Sequence, residues 1–159
     1  MDVIGLVVGA LLGTVVMTTV MEAGQAARWS RLSLPYLLGT MITQDRRWIR
    51  IVGATVHVAN GLVFALGYAL LFEALDRSDW WIGLLAGVVH AVAVLVVLLP
   101  LIHDVHPRMA TEDHGPDPTP HLQPPGFLGL NYGAQTPVGV IAAHLVYGAI
   151  VAAFYRPLG

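Results

Sequence analysis

The sequence has no cysteine and no lysine, and charged residues make up only 11% of it. Without cysteine there is no disulfide, thiolate metal site, iron–sulfur cluster or cysteine nucleophile, and the redox compartment leaves no trace. A metal would have to be held by His, Asp or Glu. The eight basic residues are all Arg and are outnumbered by ten acidic ones, for a net charge of −2. Nothing in that balance suggests a surface for nucleic acid. The chain also lacks the basic segment and small-residue cleavage site of a secretory signal, because Met1-Asp2 leads at once into an apolar run. That first apolar segment is expected to be retained.

What the sequence has in abundance is apolar side chains, at 56% of the 159 residues, with a mean hydropathy of +0.69. A soluble domain of this size is far less apolar, so the solvent of most of the chain is lipid. A hydrocarbon layer of about 30 Å takes roughly 20 helical residues. Four segments qualify, 3–27, 49–75, 80–102 and 137–155, with long connections at 28–48 and 103–136. The expected fold is all-α, a single membrane domain built as a four-transmembrane-helix bundle. Trp29, Trp48, Trp80, Trp81 and Tyr155 fall at segment ends, where amphipathic rings settle at the headgroup level. The two long connections carry Arg28, Arg31, Arg46, Arg47 and Arg108, with Arg50 at the start of the second segment. The opposite end has only Arg77 and Arg156. The positive-inside rule therefore places both long connections in the cytoplasm and both termini outside. Small-residue stripes, Gly5-Gly9-Gly13 and Gly83-Gly87, with Gly61 and Gly148 in the other segments, are expected to mark close helix packing.

The two halves resemble each other. The second segment contains His57, Gly61, Ala65 and Tyr68, and the fourth contains His144, Gly148, Ala152 and Tyr155 at the same spacing. Upstream lie Pro35-Tyr-Leu-Leu-Gly39 and Pro125-Gly-Phe-Leu-Gly129, with 18 residues from the Gly to the His in one half and 15 in the other. This pattern predicts two tandem two-helix repeats, which run in the same direction and are therefore related by a pseudo-twofold axis along the membrane normal. His57 and His144 would then face each other at one depth, roughly 12 Å in from the arginine-rich end.

An ionisable side chain in hydrocarbon needs a partner or a wet cavity. Glu22, His57, His90 and His144 are in this position, and Glu22 falls at nearly the depth of His57 and His144. His103 and His106 follow at i, i+3 where the third segment reaches the same end, before Pro107 stops the helix. Glu112, Asp113, His114 and His121 lie in the proline-rich connection beyond, expected as solvated residues of a loop that is a lid or is disordered. Imidazole and carboxylate without thiolate suit Zn, Fe or Cu. The expected metal ligands are Glu22, His57, His103, His106 and His144, with Asn60, His90 and Tyr147 as further polar core residues. No Glu-x-x-His or His-Glu-x-x-His motif supports that set. A structural role competes with it, in which each His simply hydrogen-bonds a neighbouring helix.

Three functions follow. One is a metal site for redox or hydrolytic chemistry in the cytoplasmic half of the bundle. A second is a b-type haem carrier with His57 and His144 as axial ligands. The third is a non-catalytic accessory subunit of a larger membrane complex or homo-oligomer. Pro-Tyr-Leu-Leu-Gly (35–39), His-Pro-Arg-Met (106–109), Pro-Gly-Phe-Leu-Gly-Leu-Asn-Tyr-Gly (125–133) and His-Leu-Val-Tyr-Gly (144–148) resemble blocks of small bacterial four-helix integral membrane proteins with no assigned activity. That resemblance implies the bacterial inner membrane and the four-helix fold, and no site residues.

Overall fold

The computed structural model describes residues 1–111 and 121–158. Four helices are long and apolar enough to cross a membrane: α1 (Val3–Ala26), α3 (Ile49–Leu75), α4 (Trp80–Val105) and α5 (Thr136–Phe154). The shortest has 19 residues, about 28 Å at the helical rise. The chain is a multi-pass membrane protein by this measure. Its helix ends follow local chemistry. Asp2 caps α1 by accepting from the Gly5 N–H at 2.9 Å, and Pro137 occupies the first turn of α5, where its missing N–H costs nothing. α4 stops at Val105 because His106 precedes a proline and is extended.

The structure corrects the expected connection at 28–48, which holds a fifth helix, α2 (Leu34–Ile42). Nine residues are too few to span, so sequence length alone places them in a loop. α2 lies against the beginning of α3, where the backbone of Ile49 meets Gly39 and that of Pro35 meets Gly53. The 103–136 connection is also more ordered than expected at its ends. Met109 is fully buried, its segment bridges to Leu122, and a 3-10 turn covers Phe127–Tyr132. The expectations for Glu112, Asp113 and His114 lie outside the described residues.

α4 is not regular throughout. Val94–Leu98 forms a π-helical turn immediately before Pro100. Proline offers no N–H to the carbonyl four residues back and its ring crowds that turn; one wider turn absorbs both effects.

The spanning helices form an arc in the order α3, α1, α5, α4. Glycine sets two of its seams. Gly9 and Gly13 bring α1 against Val151 and Tyr147 of α5, while Gly83 and Gly148 bring the backbones of α4 and α5 into direct contact. Lipid gives helices no hydrophobic reason to associate, so close van der Waals approach of this kind holds them. The arc is open on its remaining side. α3 and α4 are consecutive, yet among the described residues their backbones do not pack. A strict twofold would pair α3 with α4 as closely as α1 with α5, so the packing of the two halves is unequal.

Candidate functional site

The open side of the arc is a crevice of about 130 Å³. His57, Asn60 and Phe64 of α3 form one wall, and His90, Val94 and Leu98 of α4 the other; His144 and Tyr147 of α5 line it with Met17 of α1. Leu34 and Leu38 of α2 close the arginine-rich end. Asn60, Phe64 and Leu98 are exposed, so the mouth faces sideways, toward the surrounding bilayer. The wider π turn supplies Val94 and Leu98 to this wall, and such turns recur at functional sites.

Three imidazoles meet here. The His90 and His144 rings are 4.6 Å apart, edge to face at 80°. His144 Nδ1 lies 2.8 Å from the Val140 carbonyl, so it carries the proton and leaves Nε2 with a free lone pair. His90 Nδ1 is 3.3 Å from the Tyr68 hydroxyl, and the ring lies tilted against Phe64 with centroids 4.2 Å apart. Tyr147 is satisfied elsewhere, donating to the Gly61 carbonyl at 2.6 Å. His57 is only 8% exposed, yet among the described residues it has no hydrogen-bond partner. The Asn60 carboxamide, one turn further along α3, also has none.

The other three expected ligands lie elsewhere. Glu22 accepts from the Ser33 hydroxyl at 2.7 Å and pairs with Arg50 at 3.4 Å. His103 bonds through Nδ1 to the Pro100 carbonyl at 2.6 Å, with Nε2 3.1 Å from Asp104. His106 does not share a helical face with it, because the chain is already extended there. Its Nδ1 accepts from the Arg108 N–H at 3.1 Å and its Nε2 donates to the Leu37 carbonyl at 3.1 Å, beside Thr40. Nε2 thus clamps the end of α4 to α2, where Arg108 also bonds the Thr40 carbonyl, while Nδ1 fixes the turn that follows. Burial holds the His106 imidazole below the ordinary histidine range, against a raising effect of the Leu37 bond. Among the described residues, no three His, Asp or Glu side chains are grouped to hold one ion.

His57 and His144 line one crevice together with His90, while Glu22, His103 and His106 lie outside it. Sequence reasoning missed Phe64 and Tyr68 as site residues. Their signal was present, since His57, Gly61, Phe64 and Tyr68 recur at the spacing of one helix face.

An all-helical, multi-pass membrane bundle with a lateral histidine-lined crevice is the class that fold and site define. The chain matches no protein-family model, no curated protein and no solved structure, so function is argued from the crevice itself.

Proposed function

We propose that the protein is a membrane-embedded binding protein whose ligand is a small lipid-soluble molecule, held by a hydrogen-bonding group in the crevice between α3 and α4. The observation that carries this reading is His57, buried and without a partner, aimed with Asn60 into an apolar crevice. Unpaired polar groups at this depth are expensive, and a mostly apolar pocket with a few convergent polar groups is the usual form of a small-molecule site. A cavity near 150 Å³ accommodates one benzene-sized ring, so the buried end of the ligand is about that large. Solvent extracts of detergent-purified protein, compared by mass spectrometry with those of His57→Leu and Asn60→Leu, test it. One compound near stoichiometric amount, lost from both variants, is the expected result; indistinguishable extracts would overturn the reading.

A second reading is a transition metal, Zn, Fe or Cu, bound by His57, His144 and His90. It is favoured by His144, whose Nδ1–H is anchored on a carbonyl as metal-binding imidazoles usually are. It requires the three rings to close further, and elemental analysis of the same preparations tests it. Haem draws no support from a crevice far smaller than the roughly 300–1,000 Å³ of cofactor sites. An accessory-subunit role remains the outcome if the crevice holds nothing.

The bacterial inner membrane, with the arginine-rich end in the cytoplasm and both termini outside, belongs to the same proposal. So does the tandem repeat, which we keep at the level of the single unit. Its support is a matched register: Gly39 abuts Ile49, eight residues before His57, and Gly129 abuts Thr136, eight residues before His144.

A further inference from the structure

A second cavity, of about 250 Å³, lies at the arginine-rich end and takes no part in the crevice. It is lined by Gln25 at the end of α1, Arg31 and Ser33 of the following link, Tyr36 of α2, Arg50 of α3 and Tyr132 of the 3-10 turn. Two guanidinium groups therefore face one space from different elements. Arg50 has a loose partner, the Glu22 carboxylate at 3.4 Å, whose other oxygen accepts from Ser33. Among the described residues the partners of Arg31 are neutral, the Asn131 carbonyl and Gln123 Oε1 at 3.3 Å. Among the described residues, two cations against one carboxylate leave this wall with one positive charge in excess.

Depth and shape limit what balances that charge. Trp29 and Trp48, at the same end of the bundle, are 65% and 55% exposed, as residues of an interfacial belt are. Beyond Arg50 a shallow, open and mostly apolar groove lies on the outer face of α3 along Ile51, Ala54, Thr55 and Val58. Arg50 lines both spaces. A basic cavity at headgroup level that continues into an apolar track on a spanning helix has the form of one amphiphile, with an anionic head and a hydrocarbon tail. Guanidinium groups match phosphate oxygens in geometry and are weakly hydrated, and basic pockets beside spanning helices bind anionic headgroups.

We infer that Arg31 and Arg50 form a site for one anionic phospholipid, with the phosphodiester in the cavity and an acyl chain along α3. A phosphodiester carries one negative charge, which matches the excess positive charge of the described residues on this wall. The site is separate from the crevice, and its failure would leave that reading untouched.

Native mass spectrometry of the full-length protein, titrated with phosphatidylglycerol or phosphatidylcholine, tests the assignment. Wild type is expected to retain one phosphatidylglycerol in preference to phosphatidylcholine. Arg31→Gln and Arg50→Gln should each reduce retention about fivefold, and Arg28→Gln, outside the cavity, should not. Ala54→Phe, which fills the groove and changes no charge, should also reduce it. Equal retention by wild type and both arginine variants, or no preference between the two lipids, would overturn the site. Full displacement by inorganic phosphate, with Ala54→Phe behaving as wild type, would overturn the lipid assignment in favour of a soluble anion.

Discussion

His57 and Asn60 set the energetics of the crevice. The His57 imidazole reaches the crevice surface without a partner, and a polar group left unpaired away from water costs up to about 1–3 kcal/mol. His57→Leu is therefore expected to melt at the same temperature as wild type or higher, while losing the bound compound. A drop in melting temperature comparable to a core deletion would show that the imidazole is structural after all. His106 is the opposite case, because both of its nitrogens hold the fold together. Its folded-state affinity for protons is lowered, so below about pH 6.5 the unfolded chain binds more protons than the folded one. Its contribution is complete above that pH and is lost as the pH falls through the lower folded-state value. Melting temperature followed from pH 8 to pH 5 should fall at the acid end, and less so in His106→Gln. Equal slopes would remove His106 as the cause. The sequence set His57 and His144 at one depth, and both line the crevice, but it placed Glu22 with them on depth alone. Depth along a helix says nothing of direction around it, and Glu22 turns instead to the cation at its own level, Arg50.

Among the spanning helices, the α4–α5 seam is a backbone-to-backbone contact. Gly83 and Gly148 face each other so closely that any side chain on either would meet the opposite backbone. Gly148→Val is expected to destabilise the bundle by about 1–3 kcal/mol or to prevent folding, as measured by detergent unfolding. Gly24→Val, with open space around it, is the control. These seams were legible, because small residues at four-residue spacing have few other uses in a spanning helix. α2 was not, since nine apolar residues fit neither a span nor a polar loop, and its place depends on a glycine contact between segments. The π turn was half legible. Pro100 announces a lost hydrogen bond, but how the helix absorbs the loss depends on its neighbours, and here the open side of the arc leaves room for a wider turn.

The four spans make a bundle whose topology is testable in a convenient way. Because the chain has no cysteine, a single cysteine introduced at position 44 or 78 is the only thiol that a membrane-impermeant reagent can label. With the proposed orientation, the residue at 78 is labelled from the outside of intact cells and the one at 44 only after lysis. The reverse pattern would invert the protein in the membrane. The number of spans and their boundaries were readable from hydropathy to within a few residues, because lipid imposes a length and an apolar composition on every helix that crosses it. The order of the helices in the arc was not readable. The apparent repeat suggested two equal halves, while glycine seams join α1 to α5 and α4 to α5 backbone to backbone, and α3 meets α4 only through the side chains of Phe64, Tyr68 and His90 among the described residues.

The sideways mouth of the crevice between α3 and α4 also changes the scale on which occupancy should be reported. A molecule arriving through a sideways opening is drawn from the bilayer, so its availability is its mole fraction among the lipids. A weak interaction on that scale looks tight when expressed per volume of water, in proportion to how strongly the molecule partitions into the membrane. Two ligands that fit the crevice equally well would then differ in apparent aqueous affinity by the ratio of their partition coefficients, and diluting the sample with buffer would scarcely release either, whereas diluting it with empty vesicles would.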